Sequence, residues 1–274
     1  MKPTKELMGR RSLVLGSASV TIAALYATRA AKADPPKLED KAELPSSVTS
    51  SINEFSSEKF PASVAPAVTL DLPPLKYGYD SLSAVINEET MKLHHDVHHA
   101  GYLDKLKNAL KNADEIFRLA PLVSLLSSIN KIPEALKTQV GNQGGGHYNH
   151  CLFWESMSPK GIKFPTGKLA QSIDTTFGSF TDFQKAFENA GVSHFGSGWV
   201  WLVINQKKQL SIITTANQDT PLAKGYVPLL GNDLWEHAYY LMYRNRRAEY
   251  LSKWWSIVDW QVVETRFLKT FIGQ

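Results

Sequence analysis

Histidine and acidic residues that could bind a metal ion fall in three short stretches. Residues 94–99 read His-His-Asp-Val-His-His, and residues 147–150 read His-Tyr-Asn-His. Asp233 and His237 stand four residues apart, which would place both side chains on one face of a helix or helical turn. Imidazoles and carboxylates bind first-row transition metals. One ligand from each of the first two stretches, with the Asp233/His237 pair, would complete a site of three imidazoles and one carboxylate.

These residue types leave the metal open among Mn, Fe, Cu and Zn. The choice between histidines of the first stretch also stays open. On a helix, His94 and His98 share the apolar face of Met91, which we expect to be buried. His95 and His99 lie about 100° round the same helix, and their surroundings are less clearly indicated.

The elements that must position these residues fall into two groups. Apolar residues at three- and four-residue steps predict helices over 87–111, 121–130 and 133–157. Past residue 161 the pattern predicts short helices at 169–176 and 181–190, strands at 199–205, 209–215 and 226–230, and helices at 234–243 and 247–267. Thr181 and Gln184 fit a capping box for the second short helix.

Three consecutive glycines, Gly144, Gly145 and Gly146, fall inside the helix predicted over 133–157. Each costs a helix interior about 1 kcal/mol relative to alanine, so we expect another group to approach the helix closely there. His150 follows Gly146 by one helical turn and precedes Trp154 by another, so these three residues share a face.

Residues 1–33 have the organisation of an export signal. Arg10-Arg11 precedes an uncharged, largely apolar run from Ser12 to Thr28, and Ala31-Lys32-Ala33 is an A-x-A cleavage pattern. The paired arginines favour a twin-arginine signal, which would send the protein to the periplasm or outside the cell. An ordinary secretory signal is the alternative. An uncleaved run of this length, at the short limit for a membrane span, would instead anchor the protein.

Residues 34–67 are rich in Pro, Ser, Glu and Lys and lack apolar periodicity, which predicts a flexible spacer. We expect a helical hairpin domain over 68–160 and a C-terminal α/β domain over 161–274. The net charge of +4 falls to about −1 when residues 1–33 are removed, which argues against a nucleic-acid partner. The single cysteine, Cys151, excludes an intramolecular disulfide and is expected to be a small buried hydrophobic residue.

Four stretches together resemble the iron/manganese superoxide dismutase family, in order and spacing, from about residue 68 to 270. They read HHDVHHAGY (94–102), GGHYNHCLFW (145–154), FGSGWVWL (195–202) and DLWEHAYY (233–240), with TANQDTPL (215–222) in support. With the predicted elements, the resemblance implies an α+β fold. An N-terminal long-helix hairpin would be followed by a mixed domain with a three-stranded antiparallel sheet flanked by helices.

The resemblance implies that superoxide is converted to dioxygen and hydrogen peroxide by a mononuclear metal that cycles between +3 and +2. Zinc has no redox chemistry and is thereby removed. The implied ligands are His94, His150, Asp233 and His237. A non-haem iron oxygenase needs open positions for an organic substrate, which the third imidazole disfavours. A storage protein on the same scaffold would not need the catalytic groups described next.

The residues around the metal follow from the same resemblance. Tyr102 and His98 correspond to a gateway pair, and Gln218 to the side chain that tunes the metal through its bound solvent. Gln218 opposite Gly146 is the arrangement typical of manganese members, so manganese is expected, with iron as the alternative. Gly146 would leave room for the Gln218 side chain.

Aromatic and subunit contacts complete the implied site. An apolar wall round the metal is expected from Trp154, Trp199, Trp201 and Trp235. Glu236 and Tyr240 are expected to cross a homodimer interface, to His237 and to His98 of the partner subunit respectively. The sequence leaves open whether two dimers pair into a tetramer. Lys92, Arg244 and Arg246 are candidates for a positive funnel that steers superoxide.

Overall fold

The computed structural model describes residues 68–271. The predicted export signal and spacer lie outside the described residues, as do residues 272–274. Within the part of the chain that the structure describes, no helix is both long enough and apolar enough to cross a membrane.

Two long composite helices form the hairpin of the first domain. The first consists of α1 (Glu88–Lys92), a first π-helical turn (Leu93–His99) and α2 (Ala100–Lys111). The connection contains α3 (Glu115–Leu119), α4 (Leu122–Ser127) and a 3-10 turn (Ile129–Lys131). The second consists of α5 (Glu134–Gln139), a second π-helical turn (Val140–Gly144) and α6 (Gly145–Glu155). The sequence predicted both long helices and missed α3.

Each long helix contains a π-helical turn within or just before its stretch of candidate metal-binding histidines, and such turns are frequent at functional sites. The first helix begins at Asn87, whose side chain accepts a hydrogen bond from the Thr90 backbone N–H (3.0 Å). Its π-helical turn changes which histidines face inward. His95 is buried and His98 is exposed, so the expectation that His98 lies on the buried face was wrong.

The second domain contains two helices, a sheet and a helical C-terminal segment. Its helices are α7 (Gly167–Phe177) and α8 (Phe180–Ser193), and its strands are β1 (Gly198–Ile204), β2 (Leu210–Ala216) and β3 (Val227–Asp233). The three strands are antiparallel, as predicted, and their order in the sheet is β2-β1-β3. The C-terminal segment contains α9 (Tyr240–Tyr243), α10 (Arg247–Trp254) and α11 (Trp260–Lys269). Short 3-10 turns cover Pro221–Lys224, Glu236–Ala238 and Trp255–Ile257.

Three local predictions for this domain were wrong. The side chain that caps α8 is Ser179, which accepts from the Asp182 backbone N–H (3.0 Å), and not Thr181. The helix predicted over 234–243 is a 3-10 turn followed by the single turn α9. The helix predicted over 247–267 is broken before α11, where the Asp259 side chain caps a new start by accepting from the Gln261 backbone N–H.

The core joins the buried strand β1 to aromatic side chains from both domains. Every residue of β1 is buried. Phe153 of α6 stacks on Trp254 of α10 (6.3 Å between ring centroids), and Trp254 stacks on Phe187 of α8 (6.1 Å). Phe153 also meets Trp199 of β1 edge-on (5.9 Å), so this ring packs α6, which carries His150, against the sheet.

Candidate metal centre

Four predicted ligands from four separate elements converge on one point. The Asp233 Oδ2 atom lies 3.0 Å from His94 Nε2, 3.2 Å from His237 Nε2 and 3.6 Å from His150 Nε2. His94 lies in the first π-helical turn, His150 in α6, Asp233 at the end of β3 and His237 in the following 3-10 turn. Asp233 and His237 therefore do not share a helix face, because the strand ends and the chain turns between them.

Local hydrogen bonds orient two of these ligands. The Asp233 Oδ1 atom accepts from the Trp235 backbone N–H (2.8 Å), which leaves Oδ2 to face the imidazoles. His150 Nδ1 lies 2.6 Å from the Gly146 carbonyl oxygen and must donate to it. The proton on Nδ1 leaves the lone pair of His150 Nε2 directed into the cluster.

The protonation of the cluster suits a cation. Burial lowers the pKa of His94 to about 4, and burial and the neighbouring His94 hold the pKa of His150 well below its usual value. Burial alone would raise the pKa of Asp233, but His237 and His94 outweigh it and the pKa lies below the ordinary range. Neutral imidazoles beside an ionised carboxylate are the forms that coordinate metals.

These residues fit a transition-metal ion. His150 Nε2 is buried and has no hydrogen-bond partner among the described residues, which is costly unless it binds something. The four ligand atoms lie within 4.8 Å of one another. The three histidine nitrogens lie 3.0–3.6 Å from Asp233 Oδ2, and atoms that are each about 2.1 Å from a shared ion stand at such separations.

The Gln218 side chain lies beside the cluster and is held in one orientation. Its Oε1 atom accepts from the Trp199 indole N–H (3.0 Å) and from the Asn149 amide (3.2 Å). Its Nε2 atom is therefore the free end, and it donates to the Tyr102 hydroxyl (3.1 Å). The sequence prediction missed Asn149, although it directly precedes the ligand His150.

The glycine run serves Tyr102 as well as Gln218. A Cβ atom at Gly146 would lie 2.6 Å from ring atoms of Tyr102, so the nearest group that this glycine makes room for is the tyrosine ring, whereas the Gln218 side chain was expected. A Cβ at Gly145 would collide with the Gln218 carbonyl oxygen, and one at Gly144 would lie 2.9 Å from Leu122. All three glycines thus allow a close approach of other groups.

Aromatic rings surround the ligand imidazoles. Trp154 meets the His94 ring edge-on (4.7 Å between centroids), Trp199 meets His150 edge-on (5.3 Å), and Trp235 stacks on His237 (5.6 Å). Trp201 stacks on Trp199 (5.3 Å), on which it packs as a second layer. Three tryptophan rings therefore contact ligand imidazoles, and the fourth packs on one of those three.

The side of the cluster nearest solvent carries the predicted gateway pair. His98 is exposed and stacks on the ligand His237 (4.3 Å, 18°). Tyr102 is partly buried. The predicted positive funnel is weakened, because Lys92 pairs with Glu88 (2.6 Å) and Arg246 pairs with Glu249 (2.6 Å).

The two residues predicted at a dimer interface are exposed. Glu236 and Tyr240 are both exposed, and Phe195 is fully exposed. The Arg247 guanidinium joins the loop that follows Phe195 to the loop that precedes Glu236. It donates to the carbonyl of Gly196 (3.0 Å) and to that of Leu234 (3.1 Å).

Comparisons with known proteins agree with this geometry. Residues 69–158 match the alpha-hairpin domain of the iron/manganese superoxide dismutases, and residues 165–266 match their C-terminal domain. A protein of Leptolyngbya boryana named Superoxide dismutase (Mn) 3 is 49% identical over 207 residues, covering 76% of this chain and 85% of that protein. The chain belongs to the iron/manganese superoxide dismutase family.

Further relatives of this dismutase carry similar names. Superoxide dismutase (Mn) 1 of Leptolyngbya boryana is 50% identical over 198 residues, which cover 72% of this chain and 79% of the relative. Superoxide dismutase (Mn) of Listeria innocua is 46% identical over 200 residues, which cover 73% of this chain and 98% of the relative. The predicted family, the α+β fold and the assignment as a metal-dependent oxidoreductase are confirmed.

Proposed function

We propose that this protein is a manganese-dependent superoxide dismutase, with iron as the alternative metal. The observation that carries the proposal is the contact of Gln218 with Tyr102, beside four convergent ligand atoms (3.1 Å between Gln218 Nε2 and the hydroxyl). Gln218 reaches the site from the C-terminal domain, as is typical of manganese members. The relatives named above as manganese enzymes support this choice.

The residues that hold the metal would be His94, His150, Asp233 and His237. When bound, the metal supplies alternating one-electron oxidation of one superoxide to dioxygen and reduction of the next to hydrogen peroxide. Asp233 contributes the only negative charge of this set, which favours the more highly charged ion. The tryptophan rings exclude bulky molecules and keep the surroundings apolar.

Reduction of superoxide to hydrogen peroxide consumes two protons, which must reach a buried site. The Tyr102 hydroxyl is held by Gln218 Nε2 as an acceptor, so its own proton is free to be donated toward the substrate. His98 stands at the exposed end, where it can exchange protons with water. We infer that Tyr102 and His98 are the two groups that pass protons from solvent toward the cluster.

Loading the full chain separately with manganese and with iron, then following superoxide decay by stopped-flow absorbance, tests the proposal. We expect rapid catalytic decay with manganese and weaker activity with iron. His150→Ala removes one ligand and should abolish both metal retention and activity, which provides the matched control. Decay at the uncatalysed rate with both metals would refute the dismutase proposal, and activity with iron alone would refute the manganese assignment.

For the assembly, we propose a homodimer across the face that carries Glu236, Tyr240 and Phe195. Arg247 joins the loop after the fully exposed Phe195 to the loop before Glu236, and the exposed Glu236 carboxylate has no ion pair among residues 68–271, which suits contact with a second copy of this surface. Glu236 would reach His237 of the partner subunit, and Tyr240 would reach His98 of the partner subunit. Sedimentation of the purified protein and of Glu236→Ala tests this. A variant that remains an equally stable, fully active dimer would contradict the role of Glu236.

For localisation, we propose export by a twin-arginine signal with cleavage after Ala33, so that Asp34 becomes the N-terminus. The support is the order of Arg10-Arg11, the apolar run and the A-x-A pattern. The intact mass of the exported protein and the fractionation of an Arg10→Lys, Arg11→Lys variant test it. Recovery of the uncleaved chain in the membrane fraction would favour the anchored alternative.

A further inference from the structure

A second cluster of potential ligands lies next to the metal centre: His99, His147 and Cys151, all buried, with ligand atoms within 4.8 Å of one another. The two histidines belong to a continuous line of hydrogen bonds. The Trp154 indole nitrogen lies 3.1 Å from His99 Nδ1, His99 Nε2 lies 2.7 Å from His147 Nδ1, and His147 Nε2 lies 2.8 Å from the Thr69 carbonyl oxygen. We name this line, from Trp154 to the Thr69 carbonyl, the histidine bridge.

The two ends of the histidine bridge fix the protons along it. An indole nitrogen can only donate, so Trp154 donates and His99 Nδ1 accepts. A carbonyl oxygen can only accept, so His147 Nε2 carries a proton. His99 must then donate from Nε2 to His147 Nδ1 if both rings are neutral. Burial lowers the pKa of His99 and of His147, which agrees with two neutral rings.

This assignment excludes a second metal site. All four ring nitrogens of His99 and His147 are engaged in hydrogen bonds, so neither ring has a free lone pair for an ion. The Cys151 sulfur lies 3.8 Å from His99 Nε2 and from His147 Nδ1, beside the hydrogen bond that joins them.

The histidine bridge contacts the rings of two proposed metal ligands, His94 and His150. Trp154 meets the His94 ring edge-on at 4.7 Å, and His99 stacks on the His150 ring at 5.2 Å and 18°. We propose that the histidine bridge is a positioning device, in which the backbone of Thr69 fixes His147 and His99, and these fix the rings of the ligands His94 and His150. Neither His99 nor His147 is a catalytic residue.

The histidine bridge joins three segments that are far apart in the sequence. Thr69 lies in a segment without regular secondary structure before α1, so no helix or sheet hydrogen bond holds it there. His147 ties this segment to α6, and His99 ties α6 to the first π-helical turn. Because the two ligand-bearing helices each contribute one histidine, the bridge also fixes the separation of His94 from His150.

Since the bridge serves the proposed dismutase site, this role rests on the proposed function. The test compares His147→Leu, which removes both hydrogen bonds, with His147→Gln, which can retain one acceptor and one donor. Cys151→Ala is the control, because the thiol lies beside the bridge but outside it. The readouts are the electron paramagnetic resonance spectrum of the Mn²⁺-loaded full chain, its manganese content and its turnover.

We expect His147→Leu to change the zero-field splitting of the Mn²⁺ spectrum and to lower turnover about tenfold. His147→Gln should restore the spectrum and most of the turnover, and Cys151→Ala should match the wild type with one manganese per chain. Equal spectra for wild type and His147→Leu, or equal losses for the Leu and Gln variants, would overturn the proposal.

Neutron diffraction of the manganese-loaded wild type decides the question even where a variant fails to fold. Hydrogen on His99 Nε2 and His147 Nε2 is expected, with none on His99 Nδ1. A second ion at Cys151, or the opposite placement of the protons, would overturn the bridge. Failure of the proposed function appears separately, as a wild type that binds manganese and shows no dismutation with either metal.

Discussion

The Nε2 atom of Gln218 lies 3.1 Å from the hydroxyl oxygen of Tyr102 and donates a hydrogen bond to it. This contact joins the segment after β2 to helix α2 and therefore crosses the two domains. Two buried donors, from Trp199 and Asn149, determine which end of the Gln218 amide faces Tyr102. The contact can be broken from either side without touching a metal ligand.

Gln218→Ala removes the link from the glutamine side. We expect the metal content to stay at wild-type level, because all four ligands are retained, and activity to fall about 10- to 100-fold. The Trp199 indole would lose its acceptor, which should also cost about 1–3 kcal/mol of stability, whereas the Asn149 amide keeps the Gln218 backbone carbonyl (3.1 Å). Stopped-flow decay of superoxide and thermal melting measure the two effects.

Gln206→Ala is the matched control for this substitution. Gln206 is exposed and donates to the Lys224 carbonyl (2.8 Å), well outside the metal centre. Its replacement should leave activity unchanged. Equal activity of the Gln218 and Gln206 variants would show that Gln218 has no role in catalysis.

Tyr102→Phe removes the link from the tyrosine side and keeps the ring that fills the space at Gly146. Burial raises the pKa of the Tyr102 phenol, with the Gln218 hydrogen bond acting in the opposite direction. The hydroxyl therefore keeps its proton below its ordinary pKa and loses it only as pH rises through the raised value. Wild-type activity should fall along this alkaline limb.

The variant should lack the part of the alkaline fall that belongs to the phenol and should turn over more slowly at neutral pH, where proton supply limits the reaction. Activity measured against pH for Tyr102→Phe and for Tyr226→Phe, a tyrosine outside the site, checks both expectations. An unchanged alkaline limb in the Tyr102 variant would assign that titration to another group.

The ligands could be assigned before the structure because residue types and order along the chain are sufficient to recognise the family. Their local geometry could not. Asp233 ends a strand, and nothing in the apolar pattern of 226–230 marks that strand as continuing to residue 233. His98 is exposed because residues 93–99 form a π-helical turn, which a period of 3.6 residues does not describe.

Contacts between distant segments were the least predictable features. Gly146 was assigned to Gln218, but the ring that needs its space belongs to Tyr102, which lies on a different helix. The hydrogen-bond partners of His99 and His147 could not be predicted from the sequence. They are the Trp154 indole and the Thr69 carbonyl, which lie far from them along the chain. Such pairings depend on how the helices pack, and local periodicity does not contain that information.

Removal of the metal should destabilise the protein. A bound ion at about 1,000 times its dissociation constant adds about 4 kcal/mol to the free energy of unfolding, provided that the unfolded chain does not bind it. Treatment with a chelator should therefore lower the melting temperature, and manganese should restore it. His150→Ala should melt at one temperature with or without manganese, whereas His194→Ala, outside the cluster, should retain the wild-type shift. A shift that survives in His150→Ala would place the stabilising ion elsewhere.

Two glycines on the long helices should respond in opposite directions to alanine. At Gly101, in α2, no atom lies within 4 Å of an added Cβ, whereas at Gly145 the Cβ would collide with the Gln218 carbonyl oxygen. Gly101→Ala should stabilise the protein by about 0.5–1 kcal/mol, because alanine is the better helix former. Gly145→Ala should destabilise it by about 1–3 kcal/mol and lower activity, since the segment that carries Gln218 must move. Urea unfolding of the metal-free protein measures the first effect and superoxide decay the second. Equal stabilisation by both substitutions would show that the second domain does not press on α6 at Gly145.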